Sequence, residues 1–277
     1  MAGRGVLQEI ELNGMLFKPI AKRIWQVNRV DRLPRILQQA FTIMLSGRPG
    51  PVVIDLPMDV QCESTEVAPE ELDAWGLPGR VQPDPALIER AGRLLLEAQR
   101  PVLVAGGGVI ASQAWDELRA VAEFLGAPVI TTMMGKGAFP EDHPLSGFHA
   151  GSKGTTCGNA LTSQADVILA VGMRFADEST SSYRRGISYT IPPARLIHID
   201  LDPAEIGKNY PTEVGIVADA KAALAALLEW LKANSIPRDY RRSAYFAEIQ
   251  RLREEWLAYV QRLAASEKLW FMNQGPI

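Results

Sequence analysis

The sequence has few of the residues from which metal centres and disulfide frameworks are usually built. Its 277 residues include two cysteines, Cys62 and Cys157, and three histidines. The cysteines lie far apart and lack metal-ligand spacing, so we interpret them as idle thiols in a reducing, cytoplasmic compartment. No Ser-His-Asp or Cys-His pattern and no histidine–carboxylate cluster stands out. From the sequence we therefore expect no catalytic residue and no metal ligand in this chain.

Excess positive charge and long apolar runs are also lacking. The formal net charge is −3, which argues against nucleic acid as a partner. No apolar run approaches the roughly 20 residues of a membrane span, and the N-terminal residues lack the apolar core of a signal peptide. The composition, 47% hydrophobic and 22% charged, is that of an ordinary globular protein, and we expect no membrane partner.

Residues 46–60, SGRPGPVVIDLPMDV, predict a tight loop that leads into a buried strand. The glycines and prolines interrupt regular structure, and residues 52–54 form an uninterrupted β-branched run. Such a run is typical of a parallel strand that is covered on both faces. Pro57 ends the strand because proline cannot donate to the ladder. Apolar residues at helical spacing precede the loop, so residues 1–61 are predicted to be the end of an α/β unit.

Three further segments follow along the chain. Residues 62–83 are rich in proline, glycine and acidic side chains without a clean period, which indicates a linker. Residues 84–234 alternate short apolar runs with helical patterns that start at capping residues such as Asp84 and Asp219. This alternation predicts an α/β fold with a doubly wound parallel sheet. Residues 235–277 are predicted to form a charged amphipathic helix from Tyr240 to Ala265, followed by a tail.

Ligands of open parallel sheets bind beyond the carboxyl ends of the strands, at helix N-termini. The sequence places glycines, a hydroxyl, a cation and a carboxylate at those ends. The residues are Gly106, Gly107 and Gly108; Thr132, Met133 and Met134; Gly172, Met173 and Arg174; and Asp200 with Leu201. Glycine lets a ligand approach the backbone, Arg174 suits a phosphate, and Asp200 suits a ribose hydroxyl. Together they predict a nucleotide-sized groove.

Each of these residues also has a structural interpretation. The three glycines lack the G-x-G-x-x-G spacing and could form only a tight turn. Arg174 could be an ion-pair partner, and Asp200 could cap the helix that begins at Pro203. Of the histidines, His143 is predicted at the surface and His198 in the core, whereas His149 fits a ligand contact and a structural role equally well.

Four strings, in this order, carry a resemblance to a known family: SGRPGPVVIDLPMDV, PVITTMMGKGAFPEDHP, VGMRF and LIHIDLDPAEIGKNYPTEVGIVADA. Over residues 6 to about 265, the chain resembles the thiamine-diphosphate-dependent enzymes of the acetolactate synthase large-subunit type. The resemblance implies that residues 1–61 are the C-terminal part of a pyrimidine-binding domain and that residues 84–234 are a complete Rossmann-like central domain. Residues 62–83 would then be the linker, and residues 235–277 a connector helix and tail.

The resemblance also implies an activity, that of a transferase or lyase which uses thiamine diphosphate and magnesium to decarboxylate a 2-oxo acid and join it to a second carbonyl. The family's catalytic glutamate and its Gly-Asp-Gly magnesium motif do not occur in these residues. We therefore expect a fragment or subunit that is inactive alone. It would work as a homo-oligomer or with a partner chain that carries the missing domains. The alternative is a stand-alone nucleotide-binding or interaction module without catalysis.

In several family members the central domain holds FAD or ADP. By position, the resemblance assigns this groove the residues named above, together with Gly147, Phe148, His149, Asp219 and Ala220. Synthases that hold FAD usually continue Arg-Phe with Asp-Asp-Arg, whereas this chain has Ala-Asp-Glu at residues 176–178. The lost cation and the added carboxylate weaken attraction for phosphates, so FAD, an ADP-like ligand and an empty groove all stay open. Lys18 matches a lysine near the substrate channel, with a solvated lysine as the alternative.

Overall fold

The computed structural model describes residues 13–68 and 79–265, and it divides the chain into two units, Met1–Gly79 and Arg80–Ile277. Parts of the predicted linker and tail, residues 69–78 and 266–277, lie outside the described residues, as do residues 1–12. The predicted limits of the four segments therefore stay predictions. Within the described residues, no helix combines the length and apolar character needed to cross a bilayer.

The first unit is built on two parallel strands. Strand β1 (Arg23–Gln26) pairs with strand β2 (Val52–Asp55), and helix α1 (Leu33–Leu45) connects them. The short helix α2 (Met58–Gln61) follows β2. The strand predicted after the glycine–proline loop is confirmed, but all four of its residues are partly exposed, so the prediction that both faces are covered is wrong in the described structure.

A lysine closes the end of α1. The Nζ of Lys22, just before β1, donates hydrogen bonds to the carbonyls of Ile43, Ser46 and Arg48 at 2.7, 2.7 and 2.9 Å. The last carbonyls of a helix lack intrahelical partners and carry partial negative charge, so a cation satisfies them well. This contact joins the start of the strand pair to the loop that enters β2.

The second unit contains a six-stranded parallel sheet, and the predicted doubly wound parallel fold is confirmed. Its strands are β3 (Pro101–Ala105), β4 (Val129–Thr131), β5 (Ser146–His149), β6 (Val167–Val171), β7 (Arg195–Asp200) and β8 (Val214–Val217). They lie side by side in the order β5-β4-β3-β6-β7-β8, and every pairing is parallel. Counted within this unit, the order is 3-2-1-4-5-6, the doubly wound arrangement.

Six α-helices accompany this sheet among residues 80–265. They are α3 (Pro85–Glu97), α4 (Gly107–Ala111), α5 (Trp115–Leu125), α6 (Thr156–Ser163), α7 (Ala220–Asn234) and α8 (Ala244–Ala264). Helices α3 and α5 pack against α7, and α6 packs against α8. Strands β3 and β6 are buried at every residue, which is the burial expected of a parallel sheet covered by helices on both faces.

Some features of this unit differ from the sequence-based prediction. Strand β5 and helix α6 were not predicted, because they have glycine and hydroxyl residues where a clean apolar period would be needed. Helix α8 begins at Ala244, later than the predicted start at Tyr240, because Ser243 is its cap. The Oγ of Ser243 accepts a hydrogen bond from the Phe246 N–H at 3.0 Å.

The loops after β3 and β6 touch where the order of the strands reverses. The Gly106 N–H donates to the Val171 carbonyl at 2.9 Å, and the Gly108 N–H donates to the Gly172 carbonyl at 3.0 Å. A Cβ on Gly106 would lie 2.1 Å from the Gly172 oxygen, and one on Gly108 would lie 2.6 Å from the Gly172 Cα. Only glycine permits this approach, because backbone atoms stand where a side chain would begin.

Substitution of Gly106 by alanine tests this contact. We expect Gly106→Ala to lower the free energy of unfolding by about 1–3 kcal/mol, because the added methyl forces the two loops apart. Gly107→Ala is the matched control, since its Cβ would lie at 3.2 Å from the oxygen of the exposed Met134. Urea unfolding followed by circular dichroism gives both values, and equal midpoints for the two variants would contradict the close contact.

A second network fixes the start of α7. Asp219 caps this helix by accepting the Ala222 N–H at 3.1 Å, and it also accepts Ser112 Oγ at 2.7 Å and Arg80 Nη1 at 2.9 Å. Partial burial raises the pKa of the Asp219 carboxyl, but the bonds from Ser112, Ala222 and Arg80 outweigh burial and hold that pKa below its usual range. The first residue of the second unit is thereby tied to the cap of a helix far along the chain.

Asp219 should therefore contribute stability that depends on pH. Because its pKa is lower in the folded than in the unfolded chain, the contribution is full above the ordinary aspartate range and is lost as the pH falls through the folded pKa. We expect Asp219→Asn to cost about 1 kcal/mol at neutral pH, with the difference from wild type shrinking between about pH 5 and pH 3. Urea titrations across this range measure it. Asp142→Asn at an exposed site is the control, and a difference that does not depend on pH would contradict the assignment.

Candidate functional site

All six strands of the second unit end in one row, here called the carboxyl edge. Backbone hydrogen bonds link neighbouring strand ends along it: Ala150 to Thr131, Thr132 to Ala105, Gly106 to Val171, Gly172 to Ile199, and Ala218 to Asp200, at 2.8–3.3 Å from N–H to carbonyl. Every residue predicted to bind a ligand lies on this row or directly after it. The structure therefore brings the predicted residues to one edge of the sheet, and their side chains decide which of them a ligand could contact.

The glycines of the carboxyl edge allow neighbouring strand ends and loops to pack closely. The N–H groups of Gly106, Gly108 and Gly172 all donate to backbone carbonyls of neighbouring strands or loops, so they are not available to a phosphate. Gly107, the first residue of α4, is partly exposed beside Met134. The tight-turn interpretation of this loop therefore accounts for Gly106 and Gly108, whereas Gly107 and Gly108 are both partly exposed.

The turn after β4 carries exposed apolar side chains. Thr132 is buried, and its Oγ1 accepts the Gly135 N–H at 3.1 Å, so this hydroxyl caps the turn. Met133 and Met134 are 57% and 78% exposed. Flexible, polarizable thioethers on an open turn provide an adaptable apolar contact for a flat ring.

Arg174 presents a cation at this edge. It lies three residues beyond the end of β6, its side chain is exposed, and its carbonyl accepts a hydrogen bond from Asn209 Nδ2 at 3.1 Å. Among residues 13–68 and 79–265, no carboxylate oxygen lies within the 4.0 Å ion-pair distance of its guanidinium. The ion-pair interpretation is therefore not realised in the described structure, and the guanidinium can meet an anion.

The end of β7 places two titratable groups close together. Asp200 is 9% exposed, its Oδ1 accepts the Asp202 N–H at 2.9 Å, and burial raises its pKa. The interpretation of Asp200 as a helix cap is wrong, because Asp202 accepts the Ala204 N–H at 3.0 Å and caps the turn at Pro203. His198 is buried as predicted; its Nε2 donates to the Met173 carbonyl at 2.8 Å, and burial lowers its pKa. Leu201 follows, half-buried.

The end of β5 turns its side chains away from the row. Phe148 has a φ of +61°, and its buried ring lies 4.9 Å from the guanidinium carbon of Arg253 on α8, so only its backbone faces the carboxyl edge. The Nε2 of His149 donates to the Lys153 carbonyl at 2.9 Å. Its Nδ1 is buried without a hydrogen-bond partner among the described residues. His149 therefore has a structural contact, and its neighbour Gly147 is buried.

The far end of the row is already occupied by protein groups. The Asp219 carboxylate is engaged by Ala222, Ser112 and Arg80, and Ala220 is 6% exposed as the first residue of α7. These two predicted binding residues therefore lie on the correct edge with little left to offer a ligand. Arg80 and Asp219 lie 139 residues apart in the sequence, so no local pattern could predict their contact.

The remaining candidates give no second site. His143 was predicted at the surface, but its side chain is 10% exposed, and its Nε2 lies 3.0 Å from Glu123 Oε1. Cys62 is exposed, whereas burial raises the pKa of Cys157 to about 12, which makes that thiol unreactive. Lys18 is exposed in the first unit. Among the residues that the structure describes, no group of three or more His, Cys, Asp or Glu side chains could hold a metal ion.

Comparison with known proteins identifies this second unit. The family model of the thiamine pyrophosphate enzyme central domain matches residues 88–227, which include every strand of the six-stranded sheet. A probable acetolactate synthase large subunit from Methanocaldococcus jannaschii is 44% identical over 240 residues, 85% of this chain and 40% of that protein.

Two other relatives extend the similarity beyond the matched unit. The acetolactate synthase large subunit of Corynebacterium glutamicum is 39% identical over 266 residues, 96% of this chain and 40% of that protein. Acetolactate synthase 1, chloroplastic, of Zea mays is 38% identical over 259 residues, 92% of this chain and 40% of that protein. This chain thus spans about two fifths of the length of the curated relatives that it matches. Fold, strand order and sequence agree, and the chain belongs to the thiamine pyrophosphate enzymes, whose central domain it carries.

Proposed function

We propose that this chain supplies the central scaffold of a thiamine-diphosphate-dependent 2-oxo acid decarboxylase or carboligase that resembles acetolactate synthase. We further propose that its carboxyl edge binds an adenine nucleotide, either FAD or ADP. The family match and the names of the relatives support the first part. The described residues offer no cluster that fits a metal ion, so we assign thiamine diphosphate and magnesium to other parts of the intact enzyme.

The observation that carries the nucleotide proposal is the position of Arg174 and Asp200 at the ends of neighbouring strands. Strands β6 and β7 are neighbours in register, with Val171 opposite Ile199, so the residues that follow Val171 and Ile199 leave the sheet side by side. An unpaired guanidinium and a carboxylate at adjacent strand ends suit a phosphate and a ribose hydroxyl. The exposed Met133 and Met134 lie on the other side of the switch point, where a flat ring could rest.

The loop after Arg174 opposes tight binding. Asp177 and Glu178 are exposed, and Glu178 is held by Lys153 at 3.5 Å and by Ser152 Oγ at 2.9 Å. Two carboxylates within a few residues of Arg174 reduce the attraction for the phosphates of FAD and ADP alike. We therefore expect weak binding, with an affinity that falls as salt screens the Arg174 contact.

Calorimetric titration of the full chain with ADP and with FAD tests the proposal. We expect one of the two nucleotides to bind, and Arg174→Gln to weaken that binding by about five- to tenfold, since a charge-assisted hydrogen bond is lost. Arg184→Gln, on the same exposed loop, is the matched control and should leave the affinity unchanged. Absence of binding by either nucleotide, or equal effects of the two variants, would remove the nucleotide from the proposal and leave a scaffold only.

The partner proposal rests on the first unit. We propose that this chain functions as a homo-oligomer, with a partner chain that carries further domains as the alternative. Among residues 13–68 of the first unit, eight large apolar side chains are at least 40% exposed: Met15, Leu16, Phe17, Ile20, Leu37, Phe41, Leu45 and Met58. Leu37, Phe41 and Leu45 recur at four-residue intervals and so share one face of α1. An apolar face of this kind is normally covered by another protein surface.

Light scattering at about 0.1 mM protein measures this association, because apolar patches of several hundred Å2 drive self-association at such concentrations. We expect wild type to be larger than a monomer and Phe41→Ser to shift the mass towards the monomer. Ile236→Ser removes a single apolar side chain that is 81% exposed in the second unit, and it should have no effect. A monomeric wild-type chain would contradict the homo-oligomer.

A further inference from the structure

A buried arginine lies under β5. Arg253 of α8 is 8% exposed, and its guanidinium donates hydrogen bonds to the Ser146 carbonyl through Nη1 and to the Glu141 carbonyl, at 3.3 Å, through Nη2. The guanidinium carbon lies 4.9 Å from the centre of the Phe148 ring. In the described part of the chain, no carboxylate oxygen lies within ion-pair distance of this cation. The charge is thus held by carbonyl dipoles and one aromatic face.

Burial of this guanidinium has an unfavourable free energy, so the contacts that hold it in place indicate a specific role. Taking a guanidinium out of water without a counter-ion costs free energy, and here burial lowers the pKa of Arg253. Carbonyl hydrogen bonds and a cation–π contact offset part of that cost. An apolar side chain would fill this space between helix and strand at a lower free-energy cost. The hydrogen bonds to β5 and the stacked ring therefore indicate a role other than filling space.

The segment held by Arg253 departs from regular sheet geometry. Strand β5 is one of the two edge strands of the sheet, and its pairing with β4 shifts register between Val129 and Thr131. Phe148 adopts a left-handed φ of +61°, which is rare for a bulky aromatic residue. Its ring is buried under α8, so the same contact that fixes the ring also fixes the backbone direction into His149.

We propose that Arg253 is a positioning residue that holds residues 146–149 in this conformation and thereby sets the affinity of the carboxyl edge for its ligand. The part of this inference that concerns affinity rests on the proposed nucleotide function. Because coupling between two sites is reciprocal, a nucleotide bound at the edge stabilises the docking of α8, and the docked helix strengthens nucleotide binding.

Helix α8 has other anchors, so loss of Arg253 should not release it. Tyr245 Oη donates to the Pro101 carbonyl at 3.2 Å, and Gln250 Nε2 donates to the Pro144 carbonyl at 2.8 Å. Arg100 forms two hydrogen bonds with Glu248 at 2.7 and 2.8 Å. These contacts lie on the same helix but do not touch residues 146–149. Replacement of Arg253 therefore separates the positioning of β5 from the attachment of α8.

The test uses Arg253→Met, which keeps the length of the side chain and removes its charge, and Arg253→Lys. Arg251→Met is the control on the same helix, since Arg251 is exposed and pairs with Glu255 at 2.6 Å. Hydrogen–deuterium exchange is measured on the full-length variants without ligand, at a temperature at which circular dichroism shows them folded. ADP and FAD titrations are performed on the same samples.

For Arg253→Met we expect about tenfold faster exchange at residues 146–149, unchanged exchange in the centre of α8, and about tenfold weaker nucleotide binding. Arg253→Lys should be intermediate, because an ammonium restores the cation over the ring without the planar fork that reaches two carbonyls. Phe148→Leu removes the ring alone and should reproduce part of both effects. Arg251→Met should change neither quantity.

Two results would overturn the inference. Faster exchange along the whole of α8 with unchanged affinity shows a role in helix attachment only, and unchanged exchange at residues 146–149 shows no positioning at all. If wild type binds neither nucleotide, the proposed function fails, and the exchange measurement alone then decides whether Arg253 holds β5. If Arg253→Met does not fold, the same readouts on Arg253→Lys and Phe148→Leu decide.

Discussion

The contact between the loops after β3 and β6 is the constraint on which the rest of the second unit depends. Gly106 and Gly108 donate their N–H groups to Val171 and Gly172, and the backbones meet at a distance that excludes a side chain. This contact joins the two halves of the sheet where their winding reverses. Arg174 and Asp200 follow the neighbouring strands, so their positions are set relative to it. Because these N–H groups already donate to carbonyls, they cannot also bind an anion. A ligand at this edge must therefore be bound by side chains.

The charged groups of this unit are used in contrasting ways. Asp219 is ionised and tied to Arg80 and Ser112, so it stabilises a helix and offers little to a ligand. Burial raises the pKa of Asp200 at the end of β7, while Arg174 stays in solvent without a counter-ion in the described residues. In the described residues the Arg174 guanidinium can change partners without loss of a structural bond, whereas Asp200 accepts the Asp202 N–H at 2.9 Å. The resemblance assigned Asp219, Asp200 and Arg174 to one groove. Hydrogen bonds from Ala222, Ser112 and Arg80 give Asp219 a structural role, which distinguishes it from Arg174.

Local patterns in the sequence were sufficient for the strands that are buried on both faces and for the caps at Asp84 and Asp219, because continuous apolar runs and capping residues act over a few positions. They were insufficient for β5, whose residues SGFH carry no apolar run and whose conformation is imposed by the neighbouring strand and by α8. The contacts that decide the site join residues about 107–139 positions apart, as Arg253 to Ser146 and Arg80 to Asp219 do. Such partners become visible only when the chain has folded.

Helix α8 lies outside the stretch that matches the family model, since that match ends at residue 227 and the helix begins at Ala244. It is nevertheless bonded to the starts of two strands, to Pro101 through Tyr245 and to Ser146 through Arg253. A protein shortened to the matched stretch would keep all six strands but would lose α8, which holds the edge strand β5. Its exposed β5 would then offer unpaired backbone groups to other chains, and such a shortened protein should aggregate where the longer one does not.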